Sequence, residues 1–90
     1  MTHFLVEVFT PRPSAVELAT VERRARLAAR RLSGTDGEVR YVQATFIPED
    51  ETGFFVFDAP STRHAALVAQ RAGLDPIRVV EAVSSGKEEL

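Results

Sequence analysis

Apolar and polar residues alternate along residues 3–10. Phe4, Val6 and Val8 fall on one side; His3, Leu5, Glu7 and Phe9 fall on the other. A period of two is the mark of a strand. Pro11 and Pro13 end it, since neither can donate to a ladder and each biases the residue before it away from helix. From Ser14 the period changes. Leu18, Val21, Ala25, Ala28 and Leu32 recur at spacings of three and four, which places them on one stripe of a helix. Ser14 and Glu17 have the spacing of a capping box, and Gly34, Asp36 and Gly37 close the segment as a loop. Residues 38–48 are rich in β-branched and aromatic types and predict a second strand. Pro48 to Gly53 is a polar turn, and Phe54-Phe55-Val56-Phe57 is a third strand, so the pair reads as a hairpin. Ser61 or Thr62 caps a second helix that runs to Ala72, and Gly73 suits the left-handed position that ends it. Ile77 to Val83 is a fourth strand.

The order is β-α-β-β-α-β. It predicts an α+β fold of the ferredoxin-like kind, a four-stranded antiparallel sheet with two helices on one face. Residues 1–84 form that domain and residues 85–90 a flexible C-terminal tail. Two helices leave the second sheet face bare. Alternation assigns Leu5, Phe9, Tyr41, Phe55, Phe57, Val79 and Val83 to it. So much apolar surface calls for a cover, and a self-complementary pair of chains supplies one by stacking sheet on sheet. A homodimer is therefore expected.

Composition narrows the function. Of 90 residues, 44% are hydrophobic and 27% charged, and the formal net charge is -2, so nothing draws the chain to nucleic acid or to an anionic membrane. The five arginines Arg23, Arg24, Arg26, Arg30 and Arg31 lack interleaved aromatics and read as a solvated helix face. The absence of cysteine excludes disulfides, thiolate metal sites and a Cys nucleophile. No apolar run has the length of a membrane span, and the first residues lack the basic and cleavage features of a signal peptide. A cytoplasmic protein is expected.

The chemical candidates lie on the bare face. The first and last strands are neighbours in this topology, and alternation places Glu7 and Glu81 together among apolar side chains. Carboxylates so placed must be paired, hydrogen-bonded, metal-bound or protonated, and two close together push one pKa upward, as a general acid or base requires. The plainer reading has both at a rim, paired with Arg40 or Arg78. Tyr41 and Gln43, two residues apart, add a phenol and an amide to the same face, with Phe55 and Phe57 as walls. Apolar walls with a few polar groups are the usual makeup of a small-molecule pocket. His3 and His64 are the only histidines, and neither has ligand partners at a recognisable spacing. The serines match no nucleophile motif, and there is no phosphate loop or dinucleotide fingerprint.

Six stretches of the chain resemble those of a known family. They are Phe4-Leu5-Val6-Glu7, Val39-Arg40-Tyr41-Val42, Pro48-Glu49-Asp50, Phe57-Asp58-Ala59-Pro60-Ser61, Arg71-Ala72-Gly73-Leu74 and Ile77-Arg78-Val79-Val80-Glu81. Over residues 3–83 the chain resembles a family of small ferredoxin-like domains of unknown function that includes a nickel-binding protein. The resemblance implies a dimeric α/β barrel, and it implies nickel as the metal to consider. Members of that family commonly carry histidine where this chain has Gln43 and Val68, and often cysteine where it has Phe55. Gln is a poor nickel ligand, and Val and Phe are none, so no metal ligands are expected here. The sequence thus points to a small homodimeric ligand-binding protein, its pocket between the two sheets formed by Glu7, Tyr41, Gln43, Phe55, Phe57 and Glu81 and meant for a small molecule or, as the lesser reading, a divalent metal such as nickel. The alternative is a cofactor-independent enzyme, of monooxygenase, isomerase or cyclase type, with Glu7 or Glu81 as general base.

Overall fold

The strand and helix signals resolve into β1 (Thr2–Phe9), α1 (Ala15–Leu32), β2 (Arg40–Ile47), a single 3-10 turn at Pro48–Asp50, β3 (Thr52–Ala59), α2 (Thr62–Arg71) and β4 (Pro76–Ala82). The computed structural model describes residues 2–34 and 37–83. Asp36 of the expected loop, Ser84, Ser85 and the expected tail at 85–90 lie outside the described residues. The four strands form one antiparallel sheet in the order β2-β3-β1-β4, the ferredoxin-like arrangement. Among the described residues no helix is long and apolar enough to cross a membrane.

Both helices start as their first residues dictate. The Ser14 hydroxyl accepts from the Glu17 N–H at 3.1 Å, and the Glu17 carboxylate accepts from the Ser14 N–H at 2.7 Å, completing the capping box. Ser61 caps α2 by accepting from the His64 N–H. At the end of α2, the Gly73 N–H reaches the Gln70 carbonyl and the Leu74 N–H reaches that of Ala69. This Schellman closure needs the left-handed φ of 82° that Gly73 supplies.

The third strand is longer than the apolar run that announces it. It is an inner strand, so its ladder extends through Thr52 and Gly53 at one end and Asp58 and Ala59 at the other. Gly53 is there because two neighbours press close. A Cβ would stand 2.7 Å from Thr10 Oγ1 and 3.0 Å from the Phe46 ring.

The helices pack on the sheet face that carries Phe4, Val6, Val8, Phe55 and Phe57. The division of labour is by size. The sheet contributes large side chains, and the helices contribute Ala25, Ala28, Ala29, Ala65, Ala69 and Ala72 along with Leu32 and Val68. Small residues let the helices approach until the aromatic rings fill the gap. Phe46 and Phe55 meet edge to face at 5.7 Å, and Tyr41 and Phe57 at 5.5 Å.

This arrangement corrects the expected contents of the bare face. Phe55 stands opposite Val6 and Phe57 opposite Phe4, so both belong to the core, 1% and 0% exposed. Tyr41 stands opposite Phe57 and joins them. Val79 lies opposite Val6, also on the helix side, while Val83 falls beyond β4 and is exposed. The open face carries Phe54, Val56 and Val80 beside Leu5. Two β-bulges help to set this pattern. One makes Val42 the extra residue between Tyr41 and Gln43, and the other makes Ile77 extra between Pro76 and Arg78.

Candidate functional site

The open face is ordered in rows by the strand register. Its first row runs Arg40, Asp58, His3 and Ala82 across the four strands. The second runs Gln43, Val56, Leu5 and Val80, and the third Thr45, Phe54, Glu7 and Arg78. Charge therefore sits in the first and third rows, with an uncharged, mostly apolar row between.

Asp58 is the centre of the first row. No helix covers this side of the sheet, yet Asp58 is only 4% exposed. Its two oxygens are divided between neighbours. Oδ1 meets His3 Nδ1, and Oδ2 accepts from Arg40 Nη2 at 2.9 Å. A buried carboxylate is costly unless its lone pairs are filled, and charge-assisted bonds fill them best. The contact also fixes a tautomer. A carboxylate accepts, so the Nδ1 of His3 carries the proton and a neutral ring presents Nε2 as acceptor; the assignment follows from the bonding partner. The His3 side chain remains 43% exposed, so that nitrogen belongs to an accessible ring.

Glu7 is half-buried in the third row, and its Oε1 accepts from Arg78 Nε at 3.1 Å. This is the pairing that the plainer reading of Glu7 foresaw. Gln43 is exposed on the same face, opposite Val56. Glu7 and Gln43 are thus brought to one surface. The other four expected residues are not. Glu81 stands opposite Phe4 on the helix side of the edge strand β4, so it does not meet Glu7. Phe55 and Phe57 lie in the core.

Tyr41 is held by α1. Its hydroxyl donates to Glu22 Oε2 at 2.5 Å, and the Arg26 guanidinium lies 5.3 Å from its ring centre. Burial, and then the bond to the Glu22 carboxylate, push its pKa well above the usual phenol value. Tyr41 is a protonated donor spanning β2 and α1.

His64, in the first turn of α2, is half-buried, with its Nδ1 2.7 Å from Ser61 Oγ. Positions 43, 55 and 68 do not supply the metal set that the resemblance suggests. Phe55 and Val68 are buried apolar residues of the core, and Gln43 is on the other side of the sheet. Among the described residues no group of three or more His, Cys, Asp or Glu is placed to hold a metal ion.

The residues that sequence reasoning missed are Asp58, Arg40 and His3 as a unit, with Phe54 and Val56. A signal for them exists. Thr52 and Asp58 share parity with Phe54 and Val56, while Gly53 and Ala59 share parity with Phe55 and Phe57. Small residues under helices and polar ones on the open side give the phase of the strand.

The sheet order, the paired helices on one face and the charged rows on the other define a ferredoxin-like α+β domain. Among solved structures, the crystal structure of SCO4226 from Streptomyces coelicolor A3(2) is similar to it, with a TM-score of 0.74. The two are 24% identical, and the match covers 92% of this chain and 98% of that one. At this identity the likeness shows a shared fold. No family model matches the chain, and no curated protein matches it.

Proposed function

We propose that the chain is a small binding protein that works as a homodimer, two copies closing their open sheet faces over a small polar ligand. The observation that supports this is Asp58, a carboxylate 4% exposed on a face without a helix, locked between His3 and Arg40 beside an apolar row. The ligand-facing set is His3, Glu7, Arg40, Gln43 and Arg78, with Leu5, Phe54 and Val56 as walls. Fixed donors and acceptors on an apolar floor suit a small molecule with complementary polar groups. Stacking a second sheet on the face would also cover Leu5, Phe54, Val56 and Phe9, the last of which is 59% exposed in the single chain.

Native mass spectrometry with light scattering tests this reading. A dimer is expected at micromolar concentration, with a co-purified small molecule that disappears in Asp58→Ala. Val56→Arg places a charge in the middle row and yields monomer. A wild-type chain that is monomeric throughout overturns the proposal.

A second reading, an enzyme, is favoured by one observation: the base would be His3 rather than Glu7 or Glu81. A carboxylate on Nδ1 with Nε2 accessible is the arrangement of an oriented general base. Deuterium exchange into a 1,3-dicarbonyl probe, above buffer background and lost in His3→Gln, is the outcome it requires.

A further inference from the structure

Arg24, Leu27, Ala28 and Arg31 recur at spacings of three and four, so they share one stripe of α1. With Arg71, the last residue of α2, they wall a hollow of about 280 Å³ between the two helices. Ala28 is buried and Leu27 is apolar, so every charged group in this wall is a guanidinium. Arg24 is laid across toward the end of α2, where a Cβ on Gly73 would meet its Cζ and Nη2 at 3.6 Å.

These three arginines differ from others in the chain. Arg40 pairs with Asp58, Arg78 pairs with Glu7, and Arg26 lies over the Tyr41 ring. Among the described residues no carboxylate pairs with Arg24, Arg31 or Arg71. Two acids come near. Glu17 and Asp75 line a neighbouring hollow that Arg24 also borders, but neither is in the wall of this one. Arg31 and Arg71 line this hollow and not that one.

The helix dipole favours cations in a last turn, and it accounts for Arg31 and Arg71 taken singly. It does not account for Arg24, which stands in the middle of α1, nor for the gathering of all three. The chain holds 13 acidic residues against 11 Lys and Arg, and still none is set among them. Like charges brought together repel until an opposite charge joins them. One carboxylate would satisfy one guanidinium; three call for an anion that carries several charges in a small volume. Phosphate oxygens match the planar donors of arginine two at a time.

We propose that this hollow binds a small phosphorylated molecule, a diphosphate group seated among Arg24, Arg31 and Arg71. The small volume and the chain's net charge of -2 suit a compact anion and not a long polyanion. The hollow is on the helix side of the sheet, so the proposal is independent of the site on the open face.

Titration of the full chain with pyrophosphate tests it, in about 0.1 M chloride so that distant charges are screened. Arginine Nε–Hε and backbone amide signals are followed in ¹⁵N–¹H spectra. Pyrophosphate is expected to move those of Arg24, Leu27, Arg31 and Arg71 saturably and to leave those of Arg40 and Arg78 in place. Arg31→Gln and Arg71→Gln, both at exposed positions, should each weaken binding about fivefold. Arg23→Gln removes the same charge from α1 outside this wall and should cost less than about twofold. Shifts that added chloride reproduces at equal ionic strength overturn the proposal. So do equal losses in Arg23→Gln and Arg31→Gln, which mark a diffuse basic field. Tighter binding of citrate, or of a short DNA duplex, than of pyrophosphate overturns it as well.

Discussion

On the helix-covered face of the sheet, Phe4, Val6, Phe55 and Phe57 are buried by the alanines of α1 and α2. On the open face, Asp58 is nearly as well hidden, 4% exposed against 1% for Phe55, yet no helix lies over it. Its cover is His3 and Arg40, two side chains that are themselves 43% and 68% exposed. The first kind of burial removes apolar area from water and is stabilising in itself. The second hides a charge, and its partners must offset the desolvation before any gain is made. A face built the second way is a poor contributor to stability and a good holder of chemical groups. The contrast is why the open face, and not the core, carries the proposed function.

Three measurements break or sharpen this contrast. The largest effect belongs to the core: Phe57→Ala should lower the stability by about 3–5 kcal/mol in urea unfolding. Val56→Ala, one position away on the open face, should cost about 1 kcal/mol in dilute solution where chains are single. Equal losses would erase the distinction between the faces. Asp58→Ala comes next. It strips two donors of their acceptor at a partly wet site, and about 1–3 kcal/mol is expected, with the His3 ring ¹⁵N shifts moving to a mixture of tautomers. Unchanged shifts would show that Asp58 does not orient the ring.

The smallest effect is at Tyr41→Phe, about 1 kcal/mol for the lost bond to Glu22. Its sign with pH can be worked out. The folded pKa of Tyr41 is raised, chiefly by burial, above the ordinary 10.0, so the fold favours the neutral phenol. That contribution is complete below about pH 10 and is lost as the pH rises past it, because the unfolded chain releases the proton more readily. The wild type should lose stability above pH 10 more steeply than the Phe variant. Parallel curves would show that Tyr41 is not held as the structure places it.

Much of the fold was legible in the chain because its signals are local. Ser14 with Glu17, Ser61 and Gly73 mark helix ends by their own chemistry, and the period of residues 3–10 gives the first strand and the phase of its faces. The candidate site was harder to read for two physical reasons. The run Phe54-Phe55-Val56-Phe57 is apolar on both faces, so alternation alone assigns no phase, and the register with Phe4 and Val6 decides it. The bulge at Val42 then separates Tyr41 from Gln43, two residues that a regular strand would keep on one side. The cluster of His3, Asp58 and Arg40 draws on three strands, and only their register brings the three together.

The bulges have a consequence for how copies of this chain can meet. β2 and β4 are the two borders of the sheet, and each is interrupted, at Val42 and at Ile77. β4 also begins with Pro76, which has no N–H to offer a neighbouring strand. A continuous border would be a template for strand-by-strand growth into open-ended aggregates. Broken borders deny that growth a regular ladder to extend, which leaves the flat of the sheet, where the proposed two-fold pairing would close on itself and stop.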